Sequence, residues 1–209
     1  MTFEGRCAFG YDGRLTMLGT PVEHNRQQNR EVTGRDVCAR CQRPTSGCYC
    51  AHVRPIETRT RLVLLQHPRE RYVAIGTARM AHLCLTNSEL YVGVDWSTSA
   101  PLARELADAG RTPILLYPGE GATDIARQPP PGPVTLVVVD GTWALTKKVV
   151  RTNPVLAALP RYAFVPTRPS EYRIRKEPND VSVATIEALV HALSALEGDT
   201  TRFDSLLAP

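Results

Sequence analysis

Four cysteines in one short segment have a spacing that suits a metal ion. They lie within thirteen residues of one another and are Cys38, Cys41, Cys48 and Cys50. Pro44 and Gly47 supply a turn between the two pairs. Four thiolates close a tetrahedral zinc site and leave no position open for water, so the sequence predicts a structural Zn²⁺ ion. The alternative is a set of free thiols or two disulfides, and a reducing compartment disfavours disulfides.

An aspartate follows an apolar run that is typical of a buried strand. The valines 137–139 lead into Asp140, Gly141, Thr142 and Trp143, where a predicted helix begins. In open parallel sheets, ligands bind beyond the carboxyl ends of the strands, where a turn and a helix N-terminus direct N–H groups to one point. Asp140 is therefore a candidate site residue. The alternative, an aspartate that only caps the helix, stays equally open, and Thr142 fits a cap or a ligand contact.

Positive charge is concentrated in residues 147–176. The whole chain has a net charge of +4, whereas this window has eight basic residues against the single acid Glu171, a net charge of +7. The eight are Lys147, Lys148, Arg151, Arg161, Arg168, Arg173, Arg175 and Lys176. Such a local excess is typical of a phosphate-binding surface, and a solvated helix face is the simpler alternative.

Short apolar runs predict the strands that must position these residues. They lie at 62–65, 90–94, 114–117, 134–139 and 162–165. Helix-like segments alternate with them at about 77–85, 102–109, 142–152 and 181–196. Strands that are apolar throughout are typical of a mostly parallel sheet covered by helices on both faces, so we expect an α/β fold.

The composition excludes several classes of protein. With 43% hydrophobic and 22% charged residues, the chain is typical of a soluble globular protein. Charged residues interrupt the first twenty positions, and no run of eighteen apolar residues occurs, so we expect neither a signal peptide nor a membrane span. We therefore expect a cytoplasmic protein without a membrane partner. The sequence leaves the oligomeric state open, with a monomer slightly favoured.

Several motifs in order resemble the DTW-domain family, which is named for an Asp-x-Thr-Trp motif. Asp140, Thr142 and Trp143 match that motif. Further matches lie at 65–70, 76–79, 115–120, 170–175 and 184–188, so the resemblance covers about residues 38–195. It implies a SPOUT-like α/β fold with a C-terminal knot. It also implies transfer of the 3-amino-3-carboxypropyl group of S-adenosylmethionine to N3 of a uridine in tRNA.

The resemblance also suggests how the chain is divided. We expect a flexible N-terminal extension over residues 1–36, since that stretch is polar and lacks periodicity. A zinc-binding segment would follow over 37–55, and the catalytic domain over 56–200.

The chemistry of that reaction gives each candidate residue an expected role. Uridine N3 is a poor nucleophile until its proton leaves, so Asp140 is the candidate base, and Thr142 and Trp143 complete the catalytic set. The expected S-adenosylmethionine-binding residues are Leu116, Tyr117, Pro118, Gly119, Asp140, Gly141, Arg173 and Arg175. Either of the two arginines suits a carboxylate, or a tRNA phosphate instead. The expected RNA-binding residues are Arg79, Lys147, Lys148 and Arg151.

Two other functions remain open. The first is an RNA methyltransferase on the same SPOUT-type fold, because a small shift of S-adenosylmethionine presents its methyl group instead. The second is a non-catalytic, zinc-dependent RNA-binding module, which would leave the turn at Asp140 without a purpose. The role of Glu187, among apolar neighbours on the last predicted helix, is also open.

Overall fold

The computed structural model describes residues 36–71, 73, 76–165 and 183–207. The strands in these ranges are β1 Arg61–Gln66, β2 Ser88–Val92, β3 Thr112–Leu116, β4 Thr123–Asp124, β5 Val134–Asp140 and β6 Arg161–Ala163. The α-helices are α1 Thr77–Cys84, α2 Ala100–Leu106, α3 Trp143–Thr152, α4 Pro154–Ala157 and α5 Thr185–Glu197. Short 3₁₀ helices lie at Thr45–Gly47, Pro68–Glu70 and Asp204–Leu207.

The six strands form one parallel sheet in the order β2-β1-β5-β3-β6-β4. All seven residues of β5 are buried, because this strand lies inside the sheet and is covered on both faces. In the register of β1 and β5, Gln66 lies beside Asp140. Since all strands run in one direction, their carboxyl ends form a single edge, and the loops that follow them meet there.

Two apolar cores cover the two faces of the sheet. Leu62 and Leu64 of β1 pack on the face covered by α1 and α5. Val63 and Leu65 pack on the opposite face, which α2, α3 and α4 cover. This alternation explains the continuous apolar runs, since every strand residue in the middle of the sheet points into one core or the other. The cysteine segment joins the first core through the buried side chains of Cys41 and Tyr49.

The predicted α/β class and parallel sheet are confirmed, and each of the five predicted strands overlaps an observed one. The sequence did not predict β4 or α4, because elements of two and four residues are too short to show periodicity. The expected C-terminal knot stays a prediction, and residues 166–182 lie outside the described residues. Residues 1–35 lie outside them as well. No helix in the described ranges has the length and apolarity to cross a membrane.

Candidate functional site

The candidate site lies where the chain leaves two neighbouring strands toward opposite faces of the sheet. After β1 the chain passes to α1 on one face, and after β5 it passes to α3 on the other. Such a divergence opens a crevice beyond the carboxyl ends of the two strands, and ligands bind at this point in open parallel sheets. Gln66 ends β1 and Asp140 ends β5, so both side chains stand at the crevice.

In the described part of the chain, two side chains from other elements donate hydrogen bonds to the Asp140 carboxylate. Gln66 donates from Nε2 to Oδ2 at 3.0 Å, and Thr185, the first residue of α5, donates from Oγ1 to Oδ1 at 2.7 Å. Asp140 is only 6% exposed. These hydrogen bonds orient the carboxylate at the crevice.

The capping alternative for Asp140 is wrong, because another residue caps the helix. Asp140 belongs to β5, and Thr142 is the N-cap of α3, where its Oγ1 accepts a hydrogen bond from the N–H of Leu145 at 3.4 Å. Trp143 begins α3 and is 41% exposed, so its indole is not part of the core. A Cβ at Gly141 would meet His67 Cβ at 3.5 Å, an ordinary contact distance.

The loop expected to bind S-adenosylmethionine follows β3, which pairs with β5 on the side opposite β1. Leu116 ends β3, and Tyr117, Pro118 and Gly119 come directly after it at the same edge of the sheet. Gly119 has a φ of +143°, a backbone angle that residues other than glycine rarely adopt. The loop therefore lies on the opposite side of Asp140 from Gln66. Arg173 and Arg175, the expected carboxylate ligands, lie outside the described residues.

A cavity of about 170 Å³ lies on the Gln66 side of the site, between α1 and the cysteine segment. Its lining includes Gln66, Tyr49 and Arg79, which are 1%, 8% and 8% exposed. Burial lowers the pKa of Arg79, because a guanidinium loses hydration there. Burial also raises the pKa of Tyr49 to about 12, so its phenol keeps its proton at neutral pH.

The four cysteine sulfurs converge in the structure. All four Sγ atoms lie within 4.8 Å of one another, and the pairs Cys38–Cys50 and Cys41–Cys48 are each 3.7 Å apart. Sulfurs placed tetrahedrally at about 2.3 Å from zinc are about 3.8 Å apart, so these thiols fit Zn²⁺. The backbone N–H of Cys41 lowers the pKa of Cys38 to about 6, whereas burial raises the pKa of Cys50.

A cationic stripe runs along α3 away from Asp140. Lys147, Lys148 and Arg151 are all exposed. Trp143, Lys147 and Arg151 follow one another at intervals of four residues, so they share one face of the helix. Arg79 does not belong to this surface, because it lies inside the cavity. The four expected RNA-binding residues therefore occupy two different places.

Comparison with known proteins identifies the family. The sequence profile of the DTW domain matches residues 35–209, most of the chain. The chain belongs to the DTW domain family. Asp140, the aspartate of the motif that names the family, is the carboxylate that Gln66 and Thr185 hold at the crevice.

Curated relatives from animals and plants resemble this DTW-domain chain over nearly its whole length. The mouse protein named tRNA-uridine aminocarboxypropyltransferase 2 is 33% identical over 201 residues, which cover 92% of this chain and 65% of the mouse protein. A Drosophila melanogaster protein of the same name is 29% identical, covering 95% of this chain and 78% of its own. An Arabidopsis thaliana protein, tRNA-uridine aminocarboxypropyltransferase A, is 29% identical, with coverages of 90% and 80%.

The chain thus spans just under two thirds of the mouse relative's length. No solved structure matches it.

Sequence reasoning gave no role to three residues that the structure places at the DTW site. Gln66 and Thr185 bind Asp140, and Tyr49 lines the adjacent cavity. Gln66 could have been selected from the sequence, because it is a polar residue at the end of an apolar run, as Asp140 is. Glu187, whose role was open, accepts a hydrogen bond from the N–H of Ala184 at 2.7 Å and so stabilises the start of α5.

Proposed function

We propose that this chain transfers the 3-amino-3-carboxypropyl group of S-adenosylmethionine to N3 of a uridine in tRNA. One observation carries the proposal: the aspartate of the DTW motif is buried and oriented at the crevice between β1 and β5, and the helix that follows it has an exposed cationic stripe. The names of the mouse, fly and plant relatives support aminocarboxypropyl transfer to a uridine of tRNA.

The reaction requires a base next to the uridine. A bond forms between N3 and the methylene carbon beside the sulfonium, and the bond from that carbon to sulfur breaks. The electron pair stays on sulfur in the leaving methylthioadenosine, and the N3 proton passes to a base. Asp140 supplies the carboxylate, and the hydrogen bonds from Gln66 and Thr185 fix its direction before substrate arrives.

The surrounding residues decide which carbon of the sulfonium is attacked. Attack in line with the breaking bond needs the amino acid arm held still and the methyl group turned away from N3. The loop from Leu116 to Gly119 is placed to hold the adenosine of the donor, because it lies at the same edge beside Asp140. Trp143 offers a flat apolar surface next to Asp140 for the arm or for a base.

The zinc ion is proposed to be structural. Four thiolates fill all positions of a tetrahedral site, so the ion would fold the segment around Cys41 and take no part in the transfer. We also propose that the fold has a SPOUT-like C-terminal knot. The free thiols of this segment suit a reducing compartment such as the cytoplasm.

The stripe on α3 should bind tRNA phosphate. Replacing Lys147, Lys148 and Arg151 together by alanine should weaken tRNA binding and lower the slope of log affinity against log salt by about 2–3, since about 0.7–0.9 counterions are released for each phosphate contact. Binding of S-adenosylmethionine should be unaffected. A control variant replaces Arg104 and Arg127, which are exposed on other elements, and should keep the wild-type slope. An unchanged slope in the triple variant would make the stripe an ordinary solvated helix face.

Donor labelling tests the proposed reaction against both alternatives. Protein, tRNA and S-adenosylmethionine are incubated with the label either in the carboxyl group or in the methyl group of the donor. The carboxyl label should enter tRNA, and the methyl label should leave with methylthioadenosine. Entry of the methyl label into tRNA would make the protein a methyltransferase. No transfer of either label, with tRNA still bound, would make it an RNA-binding module.

A further inference from the structure

Buried polar atoms that lack hydrogen-bond partners are concentrated at the cavity beside Asp140. In the described part of the chain, nine buried side-chain nitrogen or oxygen atoms have no hydrogen-bond partner. Six of them belong to residues that line this cavity. One of the six is the Nε of Arg71, a residue that has another interaction, and the other five belong to Gln42, Tyr49, Gln66 and Arg79, which contributes two. Because unpaired buried polar atoms are costly, their concentration at one cavity indicates a ligand that pairs with them.

Arg79 is the most unusual of these residues. It is 8% exposed, its Nε and Nη2 have no hydrogen-bond partner among the described residues, and no described carboxylate lies within ion-pair distance. A buried guanidinium without an anion is unfavourable. Its Nε and Nη2 together form an edge with two parallel N–H donors, which matches the two oxygens of a carboxylate.

The cavity also presents hydrogen-bond acceptors. The Nε2 of Gln66 donates to Asp140, so the amide oxygen of Gln66 is the atom left unpaired at the cavity. The amide oxygen of Gln42 is unpaired as well. Two acceptors suit an ammonium group, whereas Arg79 and the Tyr49 hydroxyl are donors that suit an anion. The lining also includes Arg43, Arg71 and the buried carboxylate of Glu70, so groups of both charges face this cavity. Cationic donors beside acceptors and a carboxylate match the zwitterionic end of an α-amino acid.

We propose that Arg79 binds the α-carboxylate, and the Gln66 amide oxygen the α-ammonium, of the amino acid arm of S-adenosylmethionine. This inference rests on the proposed function. The cavity volume of about 170 Å³ is below the 300–1,000 Å³ of pockets that enclose whole drug-sized ligands, so it fits the arm and excludes the adenosine. Gln66 contacts Asp140 and the cavity, and therefore places the arm next to the base.

Arg79 is thus a specificity-determining residue. By holding the far end of the arm, it keeps the methylene carbon near the base and turns the methyl group away. Two earlier expectations change: Arg79 binds the donor instead of RNA phosphate, and it takes the role expected of Arg173 or Arg175.

Binding of donor analogues tests this assignment. The affinities of S-adenosylmethionine, decarboxylated S-adenosylmethionine and methylthioadenosine are measured for the wild type, Arg79→Met and the exposed control Arg104→Met. Wild type and control should prefer S-adenosylmethionine over the decarboxylated analogue by roughly 10- to 100-fold, the value of a charge-assisted bidentate pair. Arg79→Met should bring this ratio close to one and leave the affinity for methylthioadenosine unchanged.

Three outcomes would overturn the assignment. In the first, Arg79→Met keeps the full preference for S-adenosylmethionine over the decarboxylated analogue, with or without weaker tRNA binding. In the second and third, Arg173→Met or Arg175→Met loses that preference instead. If the wild type binds S-adenosylmethionine no better than the decarboxylated analogue, Arg79 does not bind the α-carboxylate, while the proposed function stands. If it binds no S-adenosylmethionine at all, the proposed function fails as well.

The stability of the variants separates a ligand-binding arginine from a structural one. Without donor, Arg79→Met should have a Tm equal to or above that of the wild type, because it removes a buried charge that has no partner. A structural arginine would give a lower Tm on removal. Arg79→Lys keeps the charge but loses the bidentate geometry, so its preference should be intermediate, and a full preference in Arg79→Lys would also count against the proposal.

Discussion

Asp140→Asn should lower aminocarboxypropyl transfer by about 10²–10⁴-fold, the usual contribution of a general base. The fold should survive, because asparagine has the same size and its amide can bond to both partners of the carboxylate. Its oxygen can accept from Gln66, and the Thr185 hydroxyl can turn to accept from its NH₂. The affinity for S-adenosylmethionine should change little, so the loss should appear in single-turnover rates at saturating donor and tRNA.

The pH dependence of this variant identifies the missing step. Raising the pH ionises more of the uridine N3, so it should partly restore transfer by Asp140→Asn if the carboxylate removes that proton. Asp95→Asn is the matched control, since Asp95 is exposed in the loop after β2 and should be dispensable. A donor affinity that falls in parallel with the rate, with no recovery at high pH, would make Asp140 a binding residue instead of a base.

Loss of the metal should be the largest single effect on stability. The purified protein should contain about one zinc ion per chain, and Cys48→Ser should lose it together with the folded cysteine segment. Zinc binding to such sites contributes about 10–16 kcal/mol, comparable to or larger than the total stability of about 5–15 kcal/mol of most proteins. Because Cys41 and Tyr49 belong to the core under α1 and α5, we expect a lower Tm for the whole domain.

Metal analysis and thermal unfolding measure this effect. Cys84→Ser is the matched control, since Cys84 is a buried thiol of α1 outside the cluster and its replacement should leave the zinc content unchanged. A chelator should reproduce the instability of Cys48→Ser in the wild type. Protein that is free of zinc and as stable as the holoprotein would contradict the metal site.

The main strands could be predicted because a strand that is buried on both faces is a continuous run of apolar residues. Residues 134–139 form such a run, and the strand lies between the two cores. The order of the strands could not be predicted in the same way. It depends on which neighbours bury the most surface together, and β5 inserts between β1 and β3 although β3 precedes it in the chain.

The sequence predicted the part of the site that lies in one short motif. Asp140 could be selected because it ends an apolar strand, and the cysteines because their spacing is local. Gln66 and Thr185, which bind Asp140, are 74 and 45 residues away from it along the chain, and the packing of β1 and α5 brings them to it. For the same reason the sequence alone could not predict that Arg79 is buried against the cysteine segment, because that contact depends on distant residues.

Mass spectrometry of nucleosides from tRNA treated with the protein and S-adenosylmethionine tests the central claim most directly. Wild-type protein should produce a nucleoside with the mass of uridine plus one 3-amino-3-carboxypropyl group, with the added mass on the base after fragmentation. The Asp140→Asn variant, at equal concentration and neutral pH, should produce little or none. A methylated nucleoside, unmodified tRNA, or equal product from the variant would contradict the account.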